Sequence, residues 1–382
     1  MVSEDQVGNR TSLPPSLVAA VEATLGLAGL KPHEPVAVAL SGGVDSAVTT
    51  LLLRERGHRV VALHMSLAPD DPPEPAGPVC ALARQLGVPL HGVDLRLAFR
   101  QQVIEPFLEA YRRARTPNPC VVCNPRIKFP LLRRSALELG IFRLATGHYA
   151  RVLHPEGEGR LRLFRARDRA KDQSYFLYGL TQEQLAHAVF PLGDLAKSQV
   201  RELAAAGGIS GLAKPESQDI CFIRGNDYRR LLEEHAGIDA LPARGPVVDM
   251  EGHHLGQHDG IHRFTIGQRR GLGIPSSAAY YVVALEPATN TVRVGRRRDL
   301  RRREFLVTDP NWVGIAPPLT PLDALVQVRS RHEEAPAVLE PAPQGVLVRF
   351  REPKTAITPG QAAVFYRGEE VLGGGIIDRV LS

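Results

Sequence analysis

The sequence predicts an α/β first half, a doubly wound parallel sheet, followed by a small central β-rich domain and a C-terminal β-barrel. Three observations predict it. Residues 35–40 form a run of small and β-branched apolar residues, which reads as a strand buried on both faces. From there to residue 146, strand-like runs alternate with helix-like ones. After a helical stretch at 227–235, the pattern changes to short alternating segments separated by glycine and proline. A chain of 382 residues exceeds one ordinary core, and the expected domains are 1–215, 216–283 and 284–382.

Taken in order, residues 1–12 read as disordered and residues 13–29 have helical periodicity. The strand at 35–40 turns at Ser41-Gly42-Gly43 into a helix at 44–56, followed by a strand at 59–65. A proline-rich acidic loop at 69–78 precedes a helix at 79–86 and a strand at 89–93. The helix at 98–115 ends in a segment whose prolines are expected to hold it extended. A helix at 129–139 and a strand at 142–146 complete the alternation. A hairpin over 151–167, helices at 181–189 and 197–206, a loop at 207–226 and the helix at 227–235 come next. Strands are then expected at 245–249, 261–266, 279–285, 291–295, 304–308, 324–330, 336–339, 345–350, 362–367 and 370–378.

The hydrophobic fraction of 43% is that of a soluble globular chain, and no apolar run reaches the roughly 18 residues of a membrane helix. The N-terminus lacks a basic segment followed by an apolar one, so the expected location is cytoplasmic. Four cysteines in so long a chain do not make a disulfide framework. The net charge of +6 points to a polyanionic partner. Its arginines cluster at 112–115, 133–134, 269–270, 296–298 and 301–303.

One loop and three cysteines carry the chemistry. In Ser41-Gly-Gly-Val-Asp-Ser46, adjacent glycines let backbone N–H groups gather round an anion, and the helix N-terminus adds partial positive charge. No Gly-Lys-Ser/Thr follows, and the spaced glycines of the dinucleotide fingerprint are missing. Ligands of doubly wound sheets bind beyond the carboxyl ends of the strands, where this loop, Met65 and the turn Gly147-His148 all fall. Cys120 and Cys123 form a Cys-x-x-Cys, which serves as a zinc half-site, a redox pair or a sulfur-handling site. No second Cys-x-x-Cys completes a structural zinc site. Cys221 follows on a polar loop, and Cys80, among apolar neighbours on a helix, reads as a small buried hydrophobe.

Ser41-Gly-Gly-Val-Asp-Ser46 resembles the pyrophosphate loop of enzymes that cut ATP between the α and β phosphates, whose fold is of the adenine-nucleotide α-hydrolase type. Five motifs follow it: Thr116-Pro-Asn-Pro-x-x-x-Cys-Asn-x-x-Ile-Lys-Phe129, Thr146-Gly-His-Tyr-Ala150, Lys171-Asp-Gln-Ser-Tyr-Phe-Leu177, Ser217-Gln-Asp-Ile-Cys-Phe-Ile223 and Thr265-Ile-Gly-Gln-Arg-Arg-Gly-Leu-Gly273. In that order, over about residues 35–380, they resemble the bacterial tRNA-specific 2-thiouridylases.

The resemblance implies an ATP-dependent sulfurtransferase acting on the wobble uridine of tRNA. It implies ATP contacts at Ala39, Leu40, Ser41, Gly42, Gly43, Val44, Asp45, Ser46, Met65 and Gly147, with Asp45 the candidate Mg²⁺ contact. Cys221 would carry a persulfide and Cys123 would be its partner nucleophile, with a Cys123–Cys221 disulfide as an off-cycle state. Arg126, Lys128, Lys214 and Arg224, near the two cysteines in sequence, would favour thiolate. Contacts to tRNA are implied at Asn118, Pro119, Cys120, His148, Lys171, Asp172, Gln173, Arg329, Ser330 and Gln361. The family commonly has Asp at the position of Cys120 and Tyr at that of Ser330. A cysteine desulfurase or sulfur-relay protein is the implied donor. An iron–sulfur cluster on Cys120, Cys123 and Cys221 is an alternative. So is another pyrophosphate-loop synthetase, which would need no cysteine pair.

Overall fold

The computed structural model describes residues 15–155, 157–209, 220–223, 225, 227–236, 243–275 and 278–382. The expectations for residues 1–12, Lys214 and Arg224 lie outside these. The chain divides into two compact units, one of residues 1–97, 126–174 and 181–217, the other of 98–125, 175–180 and 218–382.

The helices in chain order are α1 (Pro15–Leu27), α2 (Val44–Glu55), α3 (Pro78–Gln85), α4 (Arg96–Phe99), α5 (Glu105–Arg112), α6 (Pro119–Cys123), α7 (Phe129–Glu138), α8 (Gln182–His187), α9 (Lys197–Ala206) and α10 (Tyr228–Ala236). Strands in the first unit are β1 (Val36–Ala39), β2 (Val60–Ser66), β3 (Leu90–Asp94), β4 (Arg143–Ala145), β5 (Ala150–Leu153), β6 (Arg162–Arg165) and β7 (Ala188–Val189). Those in the second are β8 (Gly245–Val248), β9 (His254–His258), β10 (Tyr281–Glu286), β11 (Thr291–Gly295), β12 (Arg301–Asn311), β13 (Leu322–Gln327), β14 (Ala335–Ala342), β15 (Gly345–Thr355), β16 (Ala362–Arg367) and β17 (Glu370–Val380).

In the first unit, a parallel sheet runs β3-β2-β1-β4-β7. β1 is central because all four of its residues are small or β-branched and buried. The chain builds outward through β2 and β3, then returns to the other side of β1 for β4 and β7. The strand order therefore reverses between β1 and β4, and the crevice at their carboxyl ends is the ligand-binding position of this architecture. Val48, Leu51 and Leu52 of α2 close the core with Val38, Leu40 and, from α9, Val200 and Leu203. The helix expected over 181–189 stops at His187, and Ala188–Val189 pairs with Leu144–Ala145. The open edge of β4 accepts this apolar pair as a strand. β5 and β6 form the expected antiparallel hairpin.

In the second unit, β8–β11 make a four-stranded sheet of order β10-β11-β8-β9 around Val247, Val282, Val292 and Val294. Residues 261–266, expected as a strand, instead contain a 3₁₀ turn at Ile261–Arg263. Ile261 and Phe264 both enter the core. Residues three apart share a face in a 3₁₀ turn and lie on opposite faces of a strand. β12, β15, β14, β13, β16 and β17 close as an antiparallel barrel, since β17 pairs again with β12. Alternate residues such as Phe305 and Val307, or Val348 and Phe350, fill it. Closure leaves no sheet edge open. Among the described residues, no helix is long and apolar enough to cross a membrane.

Two expectations near the cysteines are corrected. The helix expected at 98–115 runs from Arg96 to Arg112 and contains a π turn at Arg100–Ile104. The segment expected to be extended is helical: α6 covers Pro119–Cys123, and a π turn follows at Asn124–Lys128. Pro119 occupies the first turn, where a missing N–H costs nothing, and the Asn118 side chain caps the Cys120 N–H.

Candidate active site

The turn that follows β1 lies at the crevice between β1 and β4. After Leu40 the chain turns at Gly42, whose φ of +83° is the left-handed conformation that glycine tolerates. Two seryl hydroxyls lock the turn. Ser46 Oγ donates to the Gly43 carbonyl (2.9 Å) and accepts from the Ser41 N–H (3.2 Å), and the two Oγ atoms lie 3.1 Å apart. The N-cap residue Gly43 offers no side-chain acceptor to α2, so no cap side chain occupies this helix N-terminus, an end that favours an anion. Across it, Gly147 packs on this same turn. A Cβ there would come within 2.9 Å of Asp45 C and Ser46 N. The close approach that selects glycine is to the protein's own backbone. Met65 lies half-buried near the end of β2.

Asp45 is where charge concentrates. Its Oδ1 accepts from Lys197 Nζ (2.5 Å) and from the Tyr149 hydroxyl (2.8 Å). Lys197 is 6% exposed at the first position of α9, where a positive charge opposes the helix dipole. A buried ammonium there is sustained by its carboxylate partner, with the Tyr149 ring 5.7 Å from Nζ. Sequence reading missed both residues. The available signal was a lysine in a helix first turn that favours acids.

His148 is buried, stacked beside Phe129 and edge-on to Phe190. Its Nδ1 is 2.7 Å from Thr146 Oγ1, and its Nε2 is 3.4 Å from Lys128 Nζ. Burial, reinforced by the Lys128 charge, holds its pKa well below the usual histidine value. A neutral ring therefore accepts at Nε2 and donates from Nδ1. Nearby, Asp172 ion-pairs with Arg165 and accepts the Ala166 and Ser174 N–H groups. The Gln173 side chain accepts the Tyr149 N–H. Lys171 follows a turn and is half-buried.

The second unit holds the cysteine pair. Cys120 and Cys221 are exposed, and Cys80 and Cys123 are half-buried. Among the described residues, the cysteine sulfurs do not gather in a group of three within 4.8 Å, as a mononuclear metal site would require. Pro119 and Val121 of α6 are buried, and Asn124 is fixed by donating to the Phe176 carbonyl (2.9 Å). The stretch before α6 is clasped by the barrel: Gln361 Nε2 donates to the Thr116 carbonyl (2.8 Å), and the Thr116 N–H donates to the Pro359 carbonyl. Arg329 is buried enough to lower its pKa, and its guanidinium reaches Ile266 O and Thr358 Oγ1. The Ser330 carbonyl accepts from Gln327. Cys80, in the first unit, donates its thiol to the Pro75 carbonyl.

Three family models match the chain: a tRNA methyl transferase HUP domain over residues 34–225, a tRNA methyl transferase PRC-barrel domain over 232–296, and an aminomethyltransferase β-barrel domain over 302–377. Curated relatives match nearly end to end. A protein of Geobacter metallireducens named tRNA-specific 2-thiouridylase MnmA is 45% identical, covering 92% of this chain and 99% of the relative. Proteins of the same name from Chloroflexus aurantiacus (45% identical, 90% and 98% covered) and Solibacter usitatus (42% identical, 91% and 100% covered) are similar to it as well.

Proposed function

The chain belongs to the tRNA-specific 2-thiouridylase family, and from that membership we propose how its residues divide the reaction. The observation that carries the reading is a glycine turn at a helix N-terminus in one unit and, in the other, two cysteines, Cys221 exposed and Cys123 half-buried.

A carbonyl oxygen cannot be displaced by sulfur directly, because oxide is a poor leaving group. The wobble uridine O2 attacks the ATP α-phosphate, pyrophosphate leaves, and the C2 oxygen becomes part of an AMP leaving group. Residues 39–46, Met65 and Gly147 form the ATP site, and the α2 N-terminus takes the charge growing on pyrophosphate. Asp45 suits the Mg²⁺ of Mg-ATP: both protein contacts fall on Oδ1, and Oδ2 takes neither. That ion would neutralise phosphate charge. Lys197 and Tyr149 fix the carboxylate's orientation.

Sulfur arrives as a Cys221 persulfide, loaded by a cysteine desulfurase or a relay protein. The Cys123 thiolate attacks its inner sulfur, a Cys123–Cys221 disulfide forms, and hydrosulfide leaves. Hydrosulfide adds to C2 and AMP departs, giving 2-thiouridine; an external thiol then reduces the disulfide. The target base is single-stranded, so drawing it into a pocket costs little. Asn118 and Cys120 meet it, with Lys171 and Ser330 on the tRNA path; Pro119, expected as a contact, is buried and holds the first turn of α6 instead. His148, Asp172, Gln173, Arg329 and Gln361 shape that path through the protein bonds described above. Domain roles follow as 1–215 for ATP and catalysis, 216–283 as the central domain and 284–382 as the tRNA-contacting barrel. Its substrates, tRNA and ATP, place its work in the cytoplasm.

The test separates the two halves. Cys123→Ser and Cys221→Ser are expected to keep ATP binding and tRNA-dependent pyrophosphate release, stopping at the adenylated tRNA, and to lose thiolation. Normal thiolation by either variant would refute the assignment.

A further inference from the structure

The stretch Arg96–Arg112 is a helix interrupted by the π turn at Arg100–Ile104. Phe99 and Phe107 flank that turn. In an unbroken α-helix, residues eight apart point about 80° away from each other, at about 100° per residue. A π turn absorbs one extra residue, so the later ring takes the direction of a residue seven along, about 20° from the first. The two rings then form one cleft.

That cleft is filled by Phe222, the neighbour of Cys221. Its ring meets Phe99 edge-on at 5.5 Å and Phe107 edge-on at 5.3 Å. Phe222 and Ile223 are buried while Cys221 is exposed. Farther along the same helix, Tyr111 stacks on Tyr228 at 4.3 Å, seating α10 as well. α6, which carries Cys123, packs against the π turn itself. Both cysteine-bearing segments thus dock on one rigid element of the same unit.

We propose that the Phe99–Phe107 cleft is a socket for Phe222 that sets the approach of Cys221 to Cys123, making Phe222 a positioning residue for sulfur transfer. The inference rests on the reading of Cys123 and Cys221 as the sulfur-handling pair. Loss of the plug removes the ring contacts that tie the segment of Cys221 to the helix, and the encounter of the two thiols then costs more chain ordering.

The readout is the effective concentration of the two thiols. The full-length protein is equilibrated with oxidised and reduced glutathione. Two enzyme thiols and one oxidised glutathione give one protein disulfide and two reduced glutathiones, and the Cys123–Cys221 bridge is quantified by peptide mapping. Phe222→Ala is expected to lower the effective concentration tenfold or more, with tRNA-dependent pyrophosphate release in the adenylation step unchanged. Phe222→Leu, which keeps the position apolar, is expected to lower it at least threefold and decides the matter if the alanine variant does not fold. A folded variant within twofold of the wild type overturns the socket. A wild-type protein that forms no Cys123–Cys221 bridge at any glutathione ratio overturns the thiol pair, and the socket with it.

Discussion

Replacing Lys197 by Met removes the cation that faces Asp45 and keeps a side chain of similar length. Breaking one side of a fully buried ion pair costs about 3–5 kcal/mol, chiefly because a charge is left without its partner. Here Lys197 has 7% of its side chain exposed and Asp45 has 24%. Water can therefore reach the abandoned carboxylate, and the Tyr149 hydroxyl still donates to it. The expected cost is about 2–3 kcal/mol, below the fully buried range. Asp45→Asn leaves a buried ammonium with a weaker partner and carries a similar cost. The double variant keeps no unpaired charge, and its cost is expected to fall short of the sum by about 1.5 kcal/mol. Amide exchange of the α2 peptide, Val44–Glu55, followed by mass spectrometry under conditions where opening is at equilibrium, gives the local free energy for all four proteins. Additivity within about 0.5 kcal/mol would show that the two side chains do not hold each other, and the positioning role of Lys197 would fall.

Three other outcomes follow from the same geometry. Gly147→Ala places a methyl within 2.9 Å of the Asp45 and Ser46 backbone; it is expected to cost about 1–3 kcal/mol in the first unit and to abolish ATP binding, measured by calorimetry. Asp172→Asn breaks a pair whose members are 4% and 6% exposed; a loss of about 3–5 kcal/mol is expected from first-unit amide exchange. His148 is held neutral, its folded pKa well below the ordinary 6.5. The unfolded chain takes up that proton first, so the stability is intact above about pH 6.5 and is lost as pH falls toward the folded value. His148→Asn is expected to remove one proton's worth of slope, about 1.4 kcal/mol per pH unit, from stability measured across that window; an unchanged slope contradicts the neutral ring.

The doubly wound sheet was legible because β1 is apolar at every position, a pattern that only burial on both faces explains. The barrel was legible because its strands alternate. Interruptions were hidden. Nothing in Arg100–Ile104 marks a π turn, since the extra residue matters only when Phe99 and Phe107 have a shared ring to grip. Pro119 argued for an extended segment by rule, yet the same ring is at home in a helix's first turn. Ile261 and Phe264 suited a strand until both needed the same core. Within the site, the cradle could be read from Gly42-Gly43 because backbone conformation is written in glycine. The Lys197–Asp45 pair spans 152 positions in sequence and becomes visible only when α9 lies beside α2.

The most direct test of the account is incubation of the protein with tRNA, ATP, Mg²⁺ and a cysteine desulfurase, followed by mass analysis of the tRNA nucleosides. The wild type is expected to give 2-thiouridine, and Cys123→Ser and Cys221→Ser none, while both still release pyrophosphate and leave adenylated tRNA. Contradiction would come from a wild type that consumes ATP and leaves the uridine oxygenated, or from thiolation that survives loss of both cysteines.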